Sequence, residues 1–288
     1  MKIALIYNKP AEHTTGAYIE KVIKNAGINY KHYWTKDAQK IPKGFDLYFR
    51  VDHGDYKYDL PDDLHPAVFY AIDTHLKKPF KKMCRQVPHY DIVFCGDKRG
   101  TVRLHKKTKV DVRWVPLGCD PEIHKKLDVP KKYDIGFVGR DAQKYPRGEH
   151  LRLLKENYPN SYIGTANFKE MADIYSASKI GFNSPIKNDI NMRMFEILGC
   201  GCFLLTYYIK DNGFDELFED GKHLVTFKNN KEMLELINYY LKHPEERERI
   251  AKAGHEATIN NHTYYHRVQK MFNYIAFKYG GNYNKLRI

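Results

Sequence analysis

Between Ile174 and Thr206 the chain reads IYSASKIGFNSPIKNDINMRMFEILGCGCFLLT, a stretch that few folds can accommodate. Lys179–Asn183 has the length and apolar character of a short buried strand, and Cys202–Thr206 begins another. Between them, Asp189–Leu198 places Ile190, Met194, Ile197 and Leu198 on one helical face, and Gly199 and Gly201 mark its stop. Strands joined by such a crossover lie parallel, and parallel sheets bury both faces under helices, so the stretch predicts an α/β fold. Asn188 or Asp189 is the expected helix cap, with the free N–H groups of the first turn facing the carboxyl edge of the sheet. Arg193 and Glu196, three residues apart, share a face and can reach one ligand or pair with each other.

The same alternation runs through the rest of the chain. Lys2–Tyr7, Asp46–Val51, Ala67–Ile72, the run DIVFCGD and Val112–Val115 read as strands, with helices at Gly16–Asn25, Leu76–Val87 and Lys98–Lys107. Pro116, Pro121 and Pro130, followed by Lys131–Lys132, mark a linker, and Tyr133–Val138 then opens a second series. The predicted organisation is a first domain over 1–118, a linker over 119–132 and a second domain over 133–260. The loop after the first strand, NKPAEHTTG, has one glycine and no G-x-G-x-x-G, so a dinucleotide fingerprint is absent, and His13 is its candidate chemical residue. Asp73 and His75 end the strand Ala67–Ile72, at the edge where open α/β sheets bind ligands; they could work as a supported base or cap the next helix.

Charge is concentrated in one region. Of a net +13, residues 77–109 carry 11 basic and two acidic side chains, a local excess of nine. Such a segment suits an anionic partner, although solvated helix faces give the same composition. Aromatic content of 14% excludes a disordered chain, and no apolar run reaches the length of a membrane span. The strand beginning at Lys2 leaves no room for a signal peptide, and the five cysteines lack metal spacing; both point to a cytoplasmic protein with reduced thiols.

R-x-F-E-x-x-G-C-G-x-x-L-L-T, followed by ELFEDGKHLVTFKN, HPEERERIAKAG and HTYYHRV, resembles the C-terminal half of GT-B glycosyltransferases, specifically the CgeB-like spore-maturation branch. The resemblance runs from about Tyr133 to Met271 and is weaker before residue 130, where it rests on DTHL, VFCGDK and WVPLGCDPEIH. It implies two Rossmann-like doubly wound domains facing a central cleft, with a C-terminal helix over 261–288 crossing back to the first domain. It also implies a nucleotide-sugar donor, UDP-linked by preference, held by the second domain. Glu196 would take the ribose, and Gly139, Arg140 and Arg147 the diphosphate, with Lys144 competing; Arg193 and Asn188 would line the same place. His262, His266 and Arg267 take structural roles.

Enzymes of this resemblance need no metal or other cofactor, and no D-x-D motif occurs in a suitable setting. Asn188 stands where retaining relatives carry the first Glu of a Glu-x7-Glu pattern that ends in the ribose-binding one, which favours an inverting reaction with Asp73, His75 or His13 as base. The basic segment suggests an anionic acceptor, modified DNA or a surface polymer. Two other readings stay open: a non-catalytic nucleic-acid-binding protein on the same shell, and a sugar-nucleotide epimerase.

Overall fold

A computed structural model, describing residues 1–9 and 14–288, resolves the apolar runs into two parallel sheets, one in each of two units. The first unit comprises Met1–Leu117 with Tyr264–Ile288, the second Gly118–Thr263.

In the first unit β1 (Lys2–Ile6), α1 (Thr15–Asn25), β2 (Asn29–Tyr33), β3 (Leu47–Val51), β4 (Ala67–Ala71), α2 (Lys77–Gln86), β5 (Ile92–Cys95), α3 (Lys98–Thr108) and β6 (Asp111–Trp114) follow in chain order. The sheet order is β2-β1-β3-β4-β5-β6, all parallel, so the chain reverses its direction of travel between β1 and β3. Every residue of β3, β4 and β5 is buried, as expected of central strands covered on both faces. β2 has no counterpart in the sequence reading. As NYKHY at the sheet edge it is half-exposed and carries no apolar run to reveal it.

The second unit contains β7 (Tyr133–Val138), α4 (Pro146–Asn157), β8 (Ser161–Gly164), α5 (Met171–Ser176), β9 (Ser178–Asn183), α6 (Met192–Gly199), β10 (Phe203–Tyr207), β11 (Val225–Phe227), α7 (Asn230–Lys242) and α8 (Pro244–Asn261). Its sheet order is β11-β10-β9-β7-β8, again parallel, with the reversal between β7 and β9. A core of Ile135, Phe137, Ile180, Phe182, Phe203 and Leu205 lies under α4, α7 and α8. The last helix, α9 (Tyr264–Tyr279), belongs to the first unit and buries Tyr264, Val268, Met271, Phe272 and Ile275 there.

The cap of α6 departs from expectation. Lys187 and Asn188 take left-handed conformations (φ 53° and 66°), and Asn188 exchanges side-chain hydrogen bonds with the backbone of Lys210. The chain is therefore still turning at Asp189, and α6 starts only at Met192 with Asn191 as N-cap. Asn191 Nδ2 donates to Asn183 Oδ1, and its side chain makes no capping bond to the helix N–H groups. No disulfide links the five cysteines, four of which are buried, and burial pushes the Cys95 and Cys202 thiols up to about 12.

Candidate functional site

In open α/β sheets the ligand crevice forms where neighbouring strands lead their crossovers to opposite sides. In the second unit that point lies between the carboxyl ends of β7 and β9, and two arginines occupy it. Arg147, in the first turn of α4, is buried; its Nε donates to Ser184 O (2.6 Å) and its Nη1 to Arg140 O (3.4 Å). Arg193, in the first turn of α6, donates from Nε to Val138 O (2.8 Å) and from Nη1 to Asn183 Oδ1 (3.2 Å), with its guanidinium over the Phe137 ring. Among the described residues no carboxylate pairs with either group. Burial, and next the charge of Arg193, hold the Arg147 guanidinium down to about 10, with the charge of Asp189 acting the other way. The pair is a positive pole whose hydrogen bonds go to neutral acceptors, with Asp189 acting on Arg147 through its charge alone, and such an arrangement suits a diphosphate.

Gly139 completes this pocket by absence. Its φ is +149°, and a Cβ there would overlap Arg193 Nη2. Only glycine lets that guanidinium lie against the end of β7.

The remaining predicted residues are placed unevenly. Glu196, one turn further along α6 from Arg193, is buried and faces the ring of His124, with Oε1 3.7 Å from Nε2. Arg193 and Glu196 therefore do not pair; each points to its own partner. The Arg140 side chain is exposed and only its carbonyl joins the site, while Lys144 is exposed on the same turn. Asn188 holds the Lys210 backbone with both ends of its amide, so its side chain pins the loop before α6.

In the first unit Asp73 and His75 follow β4, both half-buried. Asp52, at the end of β3, is buried beneath them and accepts from the backbone of Gly54, Ile72 and Asp73 and from the Tyr56 hydroxyl. Burial, then the charges of Asp52 and Asp73, raise the Tyr56 hydroxyl far above its ordinary value. His13 lies outside the described residues.

Three residues that hold the second-unit site escaped the sequence reading. Asn183 is its hub: it accepts from Asn191 and Arg193 and donates to Thr206 Oγ1 (3.0 Å). A polar residue closing the buried run SKIGF was a signal for it. His150 bonds Ser184 Oγ (2.9 Å) and stacks on Tyr207, bracing the carbonyl that holds Arg147. Its pKa is lowered by burial. His124 is fully buried behind Glu196; it closes the motif WVPLGCDPEIH but carried no assigned role, and His150 had no sequence signal that separated it from the other histidines.

Two parallel α/β sheets, of six and five strands, together with a closing helix that returns to the first unit, define a GT-B glycosyltransferase fold. Solved structures share it at low sequence identity. Anabaena HepE, crystallised with UDP and glucose, is 10% identical over 96% of this chain and 100% of its own, with a TM-score of 0.66. Sucrose-phosphate synthase of Thermosynechococcus elongatus is 10% identical over 96% of this chain and 99% of its own, TM-score 0.66. A Rickettsia africae glycosyltransferase is 11% identical over 97% and 99%, TM-score 0.61. Residues 124–273, more than half of the chain, match the model of the glycosyl transferase-like family, and the protein belongs to that family. No curated protein sequence matches it.

Among the described residues, no helix is long and apolar enough to cross a membrane.

Proposed function

We propose that the protein transfers a sugar from a nucleotide-sugar, by preference a UDP-sugar, to an acceptor hydroxyl. The observation that carries this reading is the pair of arginines at the β7/β9 switch point, each fixed by neutral acceptors and neither, among the described residues, paired with a carboxylate. In this role Arg147 and Arg193 take the diphosphate and bear the charge that grows on it as the sugar–phosphate bond breaks. With that charge met by two guanidinium groups, the reaction needs no metal ion. Glu196 accepts from the ribose hydroxyls, and Arg140 and Lys144 lie exposed on the turn between β7 and α4. The UDP-containing crystals of HepE support the choice of nucleotide.

Asp73, with His75 beside it, is our candidate general base for an inverting displacement. It would take the proton of the acceptor hydroxyl as that oxygen attacks the anomeric carbon and UDP leaves with the bonding pair. Asp52 holds the backbone of Ile72 and Asp73 and thereby sets the base's position. The anomeric configuration of the product, read by NMR, tests this: retained configuration removes Asp73 from the role.

The acceptor we infer is anionic, modified DNA or a surface polymer. α2 and α3 present Lys77, Lys78, Lys81, Lys82, Lys106 and Lys107 outward, none of them in an ion pair among the described residues. A shallow depression of about 460 Å³ lies between the two helices, lined by Phe80, Arg103, Lys106 and Lys107. Arg103 is stacked on the Phe80 ring at 3.9 Å, which pre-orders an exposed cation.

The direct test of the donor is thermal unfolding with UDP, GDP and dTDP. UDP at a hundredfold over its Kd stabilises by about 2.7 kcal/mol, a shift of several degrees. Glu196→Ala and Arg193→Ala reduce that shift. If none of the three nucleotides moves the midpoint, the donor reading is wrong. The basic face also favours a non-catalytic nucleic-acid-binding protein, and turnover of a UDP-sugar by the purified chain excludes that alternative.

A further inference from the structure

The family motif G-C-G that ends α6 has a structural reason, and it leads to a residue outside the arginine pocket. Gly199 lies against the turn Gly118–Lys126: a Cβ at 199 would stand 3.0 Å from His124 O and 3.3 Å from His124 Cβ. Gly201, at φ +66°, lies equally close to Lys126, where a Cβ would come within 2.7 Å of Cδ. The two glycines let the end of α6 rest directly on this turn.

The turn itself is tightly determined. Asp120 O accepts from the N–H groups of Ile123 (3.1 Å) and His124 (2.7 Å), and Asp120 Oδ1 accepts from Glu122 N–H (2.9 Å). Asp120 N–H then donates to His124 Nδ1 (3.1 Å). A ring nitrogen that accepts a backbone N–H carries no proton, so the proton of the imidazole resides on Nε2. That Nε2 points at Glu196 Oε1 across 3.7 Å, in a place where the histidine is fully buried and the glutamate nearly so. The gap is about an ångström beyond a charge-assisted hydrogen bond. Such contacts are often long before ligand binds.

We propose that His124 is a positioning residue: its tautomer, fixed by the Asp120 backbone, presents Nε2–H to one oxygen of Glu196 and turns the carboxylate toward the two hydroxyls of the donor ribose. This rests on the donor reading above and assigns to the turn Gly118–Lys126 the task of aiming the ribose-binding group. Groups that orient a ligating carboxylate typically change affinity by roughly 10- to 100-fold when lost.

The test compares His124→Gln with His124→Asn in the full chain, using UDP and 2′,3′-dideoxy-UDP as probes in calorimetric titrations. The glutamine amide reaches the place of Nε2, whereas the asparagine amide reaches only that of Nδ1. His124→Asn is expected to lose roughly tenfold in UDP affinity with dideoxy-UDP unchanged, and His124→Gln to keep most of the preference for UDP. Equal UDP-to-dideoxy ratios in wild type, Asn and Gln variants overturn the inference while leaving UDP binding in place. A parallel loss for both nucleotides in both variants, with melting temperature reduced, also overturns it and makes His124 a packing residue. If the wild type binds neither nucleotide, the donor reading itself fails, and this inference with it.

Discussion

Gly139 shows how a residue can act through what it lacks. At φ +149°, with Arg193 Nη2 in the space of a side chain, alanine there is strained and displaces the guanidinium together. Gly139→Ala is expected to cost about 1–3 kcal/mol in denaturant unfolding and to weaken UDP binding. Unchanged UDP affinity would detach Arg193 from the donor site. Arg193→Lys should weaken binding nearly as much as alanine does, because an ammonium cannot span Val138 O and Asn183 Oδ1 while stacking on Phe137. The motif residues were legible through the resemblance, which implies Arg and Gly for a diphosphate and Glu for a ribose. It could not say which side chains were already engaged. Asn188 is taken by the backbone of Lys210, and nothing short of the fold brings residues 188 and 210 together. His124 and Glu196, 72 positions apart, meet for the same reason.

At the scale of elements, buried runs were readable and edges were not. β3, β4 and β5 announce themselves because both faces are covered, whereas β2 is polar and half-exposed, and α6 starts late because two left-handed residues precede it. The loop between β3 and β4 is long, and its acidic, turn-rich sequence DHGDYKYDLPDDLHP does not show what holds it. In the structure it is tied down by Arg50, buried on β3, which pairs with Asp59 at 2.5 Å, bonds the Tyr90 hydroxyl and donates to Asp55 O. Although burial pushes the Arg50 guanidinium down, Tyr90 and Asp59 together hold it above its ordinary value. Removing it takes the cation from Asp59, which keeps the Tyr90 hydroxyl, the Leu60 N–H and some water, so Arg50→Met is expected to cost toward the lower end of ~3–5 kcal/mol. Urea unfolding checks this, and a cost within 0.5 kcal/mol, the range of ordinary surface substitutions, would mean that the loop is held elsewhere. The packing of α9 predicts an acid limb. Burial pushes the Asp111 carboxyl up, but hydrogen bonds from Tyr274, Lys278 and Arg113 outweigh it and leave the pKa lowered. A lowered folded pKa stabilises fully above the unfolded value of about 3.9 and is lost as pH falls below it. Asp111→Asn should therefore remove part of the stability decline below about pH 4 and leave the slope above it unchanged. An acid limb identical to wild type would separate Asp111 from the docking of α9.

For the whole molecule the decisive fact is that one unit is continuous in sequence and the other is not. The second unit, Gly118–Thr263, contains its own five-stranded sheet, its core and all of Gly139, Arg147, Arg193, Glu196 and His124. The first unit is closed by residues that arrive last: α9 buries Tyr264, Val268, Met271, Phe272 and Ile275 against it, and Arg267 Nε donates to Leu117 O. At about 1.5–3 kcal/mol for each large apolar side chain, losing those five costs on the order of 10 kcal/mol, comparable to the whole stability of a typical domain. A chain ending at Thr263 is therefore expected to keep a folded second unit and to lose the cooperative unfolding of the first. The fragment Gly118–Thr263 alone should fold, bind UDP with an affinity close to that of the second unit in the full chain, and transfer no sugar, because Asp73 and His75 are absent from it. Circular dichroism, UDP titration and a transfer assay on the same preparation decide the matter. A folded fragment that binds no UDP would mean that the donor site requires the first unit, and a fragment that transfers sugar would strip Asp73 of its proposed role.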